Sequence, residues 1–376
     1  MWHYASADAQ VLGGEGLLAA PRLVTAALPS DPWHGWKYVT FAPSGHLLLQ
    51  VGAPCNVCDP APFVDGGAEV AWSTIYALDV DSGELVGPVA TGVRNTVGLT
   101  FHPDTGDLFF TDNGRDMMGD NLPDCELNRL PAARLEAVLN GSAVVSFYGF
   151  PFCHTDGGPL GDPYLREAGG GARVPDPSLN EDGAKGDCDD DAFAGVRAIQ
   201  ALGPHTAPLG LRIYTATGSP SSFPAEYDRS ALVALHGSWN RRDFIGYNVV
   251  AVHLSADGKE SLGQSVLLEG CLGTDQTRYC RPVDTQQLPD GSVLVSDDQT
   301  GTVLRVAYVA GTPEEPAPPT DEQVPSAPEP DTGDDEDERQ QPPADEVSAA
   351  ASGTVSPKLL TVAVAAVVAC SFGMLE

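Results

Sequence analysis

Pro43-Ser44-Gly45-His46-Leu47-Leu48-Leu49 is a tight turn that runs straight into an apolar strand, and the chain says it again. Pro103 to Gly106 leads into Leu108-Phe109-Phe110, Tyr227 to Ser230 into Ala231-Leu232-Val233, and Pro289-Asp290-Gly291 into Val293-Leu294-Val295. The closing residues Gly45, Gly106, Ser230 and Gly291 are 61, 124 and 61 residues apart, so the unit is about 62 residues long and one copy is hidden between Gly106 and Ser230. A strand-turn-strand unit of this length cannot bury both faces alone and must pack against its own copies. That predicts an all-β fold, a β-propeller.

Polar residues hold one phase of the unit. His34 and Asn95 each lie 11 residues before their turn glycine and Arg281 lies 10 before its own, so all three begin the strand that enters the turn. A hairpin brings the chain back, so Asn113-Gly114, His236-Gly237 and Asp297-Asp298, which end the second strand, arrive at the same end. One mouth of a central channel is expected to collect these groups.

The repeats place the propeller at residues 1–310. From Gly311 the chain turns to Pro, Glu, Asp and Ala around Asp334-Asp335-Glu336-Asp337-Glu338, a composition that cannot bury enough surface to order itself, and 311–347 reads as a disordered acidic stalk. The net charge of −32 argues against a nucleic-acid partner, since phosphate contacts need a basic surface.

The eight cysteines suit an oxidising compartment, with Cys55 and Cys58, and Cys271 and Cys280, spaced for short disulfide loops. Cys125 and either Cys153 or Cys188 are harder to pair, and Cys125 is expected to be a free thiol. A zinc reading of Cys55 and Cys58 lacks a second ligand pair. The carboxylates Asp187, Asp189, Asp190 and Asp191 do not have EF-hand spacing and read as a solvated loop.

Ser348-Ala349-Ala350, a spacer to Lys358 and the apolar run from Leu359 to Leu375 have the order of a glycosylphosphatidylinositol (GPI) anchor signal, with a membrane tail as the alternative over 348–376. This predicts an extracellular or cell-surface protein held at the membrane. Such an anchor needs a signal peptide, and Met1 to Gln10 has neither a basic region nor an apolar core, so a leader is expected upstream. Turns near 45, 106, 168, 230 and 291 give about five blades. Asn140-Gly141-Ser142 is a glycosylation sequon that fits luminal passage.

Longer segments surround the phased residues: His34-Gly35-Trp36-Lys37-Tyr38, Gly52-Ala53-Pro54-Cys55-Asn56-Val57-Cys58, Arg94-Asn95-Thr96-Val97-Gly98 and Asp112-Asn113-Gly114-Arg115-Asp116. After Glu126-Leu127-Asn128 and Tyr148-Gly149-Phe150-Pro151 come His236-Gly237-Ser238-Trp239-Asn240-Arg241 and Arg281-Pro282-Val283-Asp284. In this series, over residues 30–308, the chain resembles the soluble quinoprotein glucose/sorbosone dehydrogenase family, especially its L-sorbosone dehydrogenase-like and pyranose dehydrogenase members.

The resemblance implies a six-bladed β-propeller, of which this chain is expected to lack about one N-terminal blade. It implies pyrroloquinoline quinone (PQQ) and Ca²⁺ in the axial mouth, a sugar substrate, and an electron acceptor it does not name. A base takes the hydroxyl proton while hydride passes to the quinone, whose carbonyl Ca²⁺ polarises. His34 matches the base, an imidazole whose ordinary pKa is near neutral. Arg94, Asn95, Thr206, His236 and Arg281 match cofactor-contacting positions, and the backbone carbonyls of Gly114 and Arg115 match the calcium ligands.

Two positions depart from the family. His236 and Val283 stand where the best-known members carry Lys and a second Arg, so up to two cations facing the PQQ carboxylates are lost; Arg241 or Arg242 could restore some charge. Two rival functions remain at this point: a non-catalytic surface propeller binding carbohydrate or protein, and a calcium-dependent lactonase, which would need carboxylates converging in the channel.

Overall fold

The computed structural model describes residues 1–3, 20–29, 33–59, 63–65, 68–161, 165–310 and 362–365. The stalk expected at 311–347, the anchor signal at 348–376 apart from the backbone of 362–365, and Cys370 lie outside the described residues. Met1–Val309 together with Val362–Glu376 form one compact unit.

The strands β1 (Trp2–His3) and β2 (Arg22–Leu23) pair with each other. Then β3 (Val39–Phe41) and β4 (Leu47–Val51), the small hairpin β5 (Phe63–Asp65) and β6 (Ala68–Val70), and β7 (Thr74–Leu78) and β8 (Leu85–Thr91) follow, with β3-β4-β7-β8 a four-strand antiparallel meander. The second sheet begins with β9 (Leu99–Phe101), β10 (Leu108–Asp112) and β11 (Asp124–Leu130). After a helix at Ala132–Leu139, β12 (Ser146–Phe147) joins the edge of β8, and β13 (Cys153–Asp156) and β14 (Ala172–Pro175) form a hairpin on the second sheet. β15 (Gln200–Pro204) then returns to pair with β11. The third sheet is β16 (Pro208–Ile213), β17 (Ala231–Leu235), β18 (Asn248–Leu254) and β19 (Ser261–Leu268). The fourth is β20 (Pro282–Gln287), β21 (Val293–Asp297), β22 (Thr302–Tyr308) and β23 (Val362–Ala365).

The first strands of the four sheets lie side by side. β3 packs on β9, β9 on β16, and β16 on β20. Tyr38, just ahead of β3, reaches Asp284 on β20, its hydroxyl 3.5 Å from the carboxylate. This is the arrangement of a β-propeller, in which the first strand of each sheet is innermost.

The repeated turn works as read. Gly45, Gly106 and Gly291 all have positive φ, which only glycine adopts without strain, and each donates its N–H back across the turn. At the remaining copy the left-handed residue is Arg229, with φ of 63°, which is why Ser230 can stand in the glycine's place.

The copy expected near residue 168 does not exist as a separate sheet. Residues 131–199 are an excursion between β11 and β15, two strands of one sheet, stapled by the Cys153–Cys188 disulfide. The position near 168, inferred from the spacing of the other turns, falls on the approach to β14. The described residues therefore carry four large sheets where five were expected, and the figure of six rests on the resemblance.

Packing follows the two-residue period of the strands. Leu108 and Phe110 of β10 join Leu48, Ile75, Ala77 and Val89 in a core between the first and second sheets. Phe109 faces the other way, into Leu211, Val233, Val250 and Val252 of the third sheet. A sheet with neighbours on both faces reads as an unbroken apolar run, which is what made these strands conspicuous.

The disulfides Cys55–Cys58 and Cys271–Cys280 form as spaced, and Cys125 is free and buried. Burial pushes the Cys125 thiol up to about 11, with the Gly114 and Ala207 amides and Thr206 acting against that shift.

Candidate active site

The phased residues lie where the hairpins predict, at strand starts and strand ends. Asn113, just after β10, donates its backbone N–H to the Asn95 carbonyl ahead of β9 at 3.1 Å. The Arg281 N–H, ahead of β20, donates to Asp297 Oδ1 at the end of β21 at 2.8 Å.

His34 has φ of 46°, a left-handed conformation that a side chain larger than glycine adopts at a cost and that concentrates at functional positions. Its Cβ lies against Gly52, where an added Cβ would fall 2.6 Å from it and 3.2 Å from the Arg94 carbonyl, so glycine lets the two segments approach. Nδ1 lies 2.6 Å from the Ala53 carbonyl, an acceptor only, so Nδ1 carries the proton and Nε2 the lone pair. Burial, and next the charge of Arg94, lower the His34 pKa to about 4, well below the near-neutral value of a free imidazole. The ring is therefore neutral at physiological pH.

Arg94 is the hub. The Ala53 N–H donates to its carbonyl, tying it to His34 through one residue. Its guanidinium donates to the Gly114 carbonyl at 2.9 Å, to Asn113 at 3.3 Å and to Asn56 Oδ1 at 2.9 Å, and pairs with Asp116 at 3.4 Å. Arg94 Nε and Asn95 Oδ1 are buried without a hydrogen-bond partner. Such orphaned polar atoms mark a place where a ligand or water completes the bonding.

The two oxygens of Asp112 accept the backbone N–H groups of Arg94 and Asn95 at 2.9 and 2.7 Å. Burial and the nearby Glu126 charge push the Asp112 carboxyl up to about 7 despite those amides. Asp116 accepts from Asn240 Nδ2 at 2.7 Å, so the loop after β17 joins the same network. Within that loop the His236 carbonyl accepts Arg281 Nε at 3.3 Å, and the His236 ring lies 3.0 Å from Asp298. His34, Arg94, His236 and Arg281 thus share one end of the sheets through an unbroken chain of contacts.

Thr206 is buried beside this end: its hydroxyl donates to Gly203 and its carbonyl accepts the Gly237 N–H. The Gly114 carbonyl faces the Arg94 guanidinium, whereas the Arg115 side chain turns inward to Asp176 at 2.7 Å. Arg241 donates to the Asp120 carbonyl, and Arg242 pairs with the Asp120 carboxylate at 3.3 Å. A cavity of about 580 Å³ opens beside Arg281, lined by Phe244, Gln276, Thr277, Arg278, Asp298 and Gln299.

Asn56, Asp112, Asp116 and Asn240 had no role assigned from sequence. A signal existed for Asp112: it follows its turn glycine by six residues, as Asp297 follows Gly291, and both carboxylates cap the strand start of their own sheet.

Comparison with known proteins bears on the family and the fold. The chain is 30% identical over 288 residues to an uncharacterized protein of Borreliella burgdorferi, covering 76% of this chain and 64% of that protein. It is 35% identical over 141 residues to the pyrroloquinoline quinone-dependent pyranose dehydrogenase of Coprinopsis cinerea, covering 32% of this chain and 18% of that enzyme. The chain thus spans less than two thirds of the length of either relative. In fold it is similar to the holo form of the pyranose dehydrogenase PQQ domain from Coprinopsis cinerea, with a TM-score of 0.57 and 23% identity over 80% of this chain and 75% of that one. The TrAA12-like family model matches residues 67–308, well over half of the sequence, and the chain belongs to that family.

Proposed function

We propose that the chain is a PQQ-dependent sugar oxidoreductase acting on a pyranose, aldose or sorbosone, with His34 as its base. The observation that carries this reading is the convergence of a neutral imidazole, buried guanidinium and amide groups, and orphaned Arg94 Nε and Asn95 Oδ1 at one mouth.

The donor set fits the cofactor. PQQ carries three carboxylates and two quinone oxygens, which call for cations and forked donors, and Arg94 and Arg281 supply both. For Ca²⁺ the proposed ligands are the backbone oxygens of Gly114 and Arg115; the Gly114 oxygen accepts the Arg94 guanidinium at 2.9 Å, a contact the ion would have to share or displace. When bound, PQQ with Ca²⁺ supplies the hydride acceptor that no amino-acid side chain can provide.

His34 Nε2 accepts the sugar hydroxyl proton while Nδ1–H on Ala53 holds the ring in the tautomer that leaves Nε2 open. Burial, and next the charge of Arg94, held by Asn56 and Asp116, keep the imidazole unprotonated. An anion held by Arg94 offsets that charge and raises His34 toward its ordinary value, making it a stronger base when the site is filled. Trp33, Trp36 and Trp239 lie exposed in the loops that carry His34 and Asn240, and their rings offer faces on which a sugar can stack.

From sequence we further propose an extracellular, membrane-held protein; the three disulfides support passage through an oxidising compartment. With PQQ and CaCl₂ added, the full chain should reduce a redox dye with pyranoses or sorbosone, and His34→Ala should lose this by 10²-fold or more. Dye reduction absent for every aldose, with PQQ bound, would favour a carbohydrate-binding propeller without catalysis.

A further inference from the structure

We propose that Arg278 is a second cation of the cofactor pocket, holding a PQQ carboxylate beside Arg281 and compensating for the charges absent at His236 and Val283. The inference rests on the PQQ reading above.

Arg278 and Arg281 line the same cavity of about 580 Å³, which is open enough to admit part of a rigid tricyclic acid. Neither has a carboxylate ion-pair partner among the described residues, although the chain carries a net charge of −32 and Arg94, Arg115, Arg129, Arg166, Arg173 and Arg229 are all paired. The one carboxylate in the cavity wall, Asp298, lies 3.0 Å from the His236 ring and forms no ion pair with either arginine. Burial lowers the pKa of His236, so at neutral pH its ring is a poor substitute for a permanent cation. An arginine keeps its charge at any working pH and presents a fork that matches a carboxylate.

The placement of Arg278 is built in. It lies three residues before Arg281, inside the loop that the Cys271–Cys280 disulfide closes, and that loop is braced by Tyr279 N–H on Cys271 O at 2.7 Å and Gly273 N–H on Thr277 O at 2.8 Å. The Arg278 guanidinium lies 5.2 Å over the Phe244 ring and its carbonyl accepts Gln299 Nε2 at 2.6 Å. Gln276 in turn accepts the Phe244 N–H, docking the loop on the segment that carries His236 and Asn240. Little ordering remains to be done when an anion arrives.

Equilibrium dialysis of the full chain against PQQ with CaCl₂, in the absence of sugar, tests this. Arg278→Ala should weaken PQQ binding about tenfold or more, the loss expected for one charge-assisted contact. Arg278→Lys should recover part of it, and Arg242→Ala, exposed and paired with Asp120, should match the parent. Parent-like PQQ binding by Arg278→Ala overturns the inference and leaves the proposed function standing. So does parent-like PQQ binding by that variant combined with a raised KM confined to acidic sugars, which would assign Arg278 to the substrate. A parent chain that takes up no PQQ overturns both the inference and the reading it rests on.

Discussion

At the scale of single residues, the electrostatics of His34 separate this site from a surface histidine at a strand start. Its folded pKa near 4 lies below the ordinary 6.5, so the folded state holds fewer protons than the unfolded chain between those values. The stability this contributes is present above pH 6.5 and is lost as pH falls toward 4, about 3 kcal/mol for the full shift. Asp112 has the opposite sign: its raised carboxyl favours the folded state at low pH and loses that contribution as pH rises through about 7. A site-resolved NMR titration of the cofactor-free protein should place His34 near pH 4 and move it upward when PQQ is added. A midpoint near 6.5 in the free protein would remove the burial and Arg94 from the explanation. The position of His34 was legible in the sequence because its spacing from a turn glycine matched that of Asn95. Its depressed basicity was not, because that comes from burial, which no local pattern states, and next from Arg94, 60 residues along the chain.

At the scale of elements, the strands were legible wherever a turn residue and an apolar run coincided, as at Gly106 and Leu108-Phe109-Phe110. The run does not reveal which residue faces which neighbour. Phe110 is fully buried and meets Tyr148 edge-on at 4.9 Å in the core shared by the first two sheets. Phe110→Ala should therefore cost about 3–5 kcal/mol in urea unfolding, whereas Leu262→Ala, at 63% exposed, should change stability by less than about 0.5 kcal/mol. Equal effects would mean that the two sheets do not pack as described.

The excursion from 131 to 199 was misread as a repeat because length alone suggested a copy. Its strands are spent on the edges of existing sheets and its fold is held by Cys153–Cys188, a long-range link that periodicity cannot register. Cys125 tests the same packing: buried, with its thiol pushed up to about 11, it should resist iodoacetamide at pH 8 in the native protein and react after denaturation. Native-state labelling of Cys125 would show that β11 is open to solvent.

At the scale of the whole molecule, the propeller places in one mouth residues that are far apart in sequence. His34, Arg94, Asp116, Asn240 and Arg281 come from all four sheets and meet only because each sheet begins and ends its inner hairpin at the same end. An acidic chain then presents Arg94, Arg278 and Arg281 there, the last two without a carboxylate ion-pair partner among the described residues. The phase of the repeat made the mouth legible, and with it the place of Asp112, while Asp116 stayed hidden because its partners, Arg94 and Asn240, come from distant parts of the chain.

The most direct test of the claim that this mouth holds the quinone is hydrogen exchange on the full chain with and without PQQ and CaCl₂. The account predicts slowed exchange at 94–95, 113–116, 206–207, 236–241 and 278–281 together, with the outer strands unchanged. Exchange unaltered in these segments at saturating PQQ, or slowed only elsewhere, would contradict it.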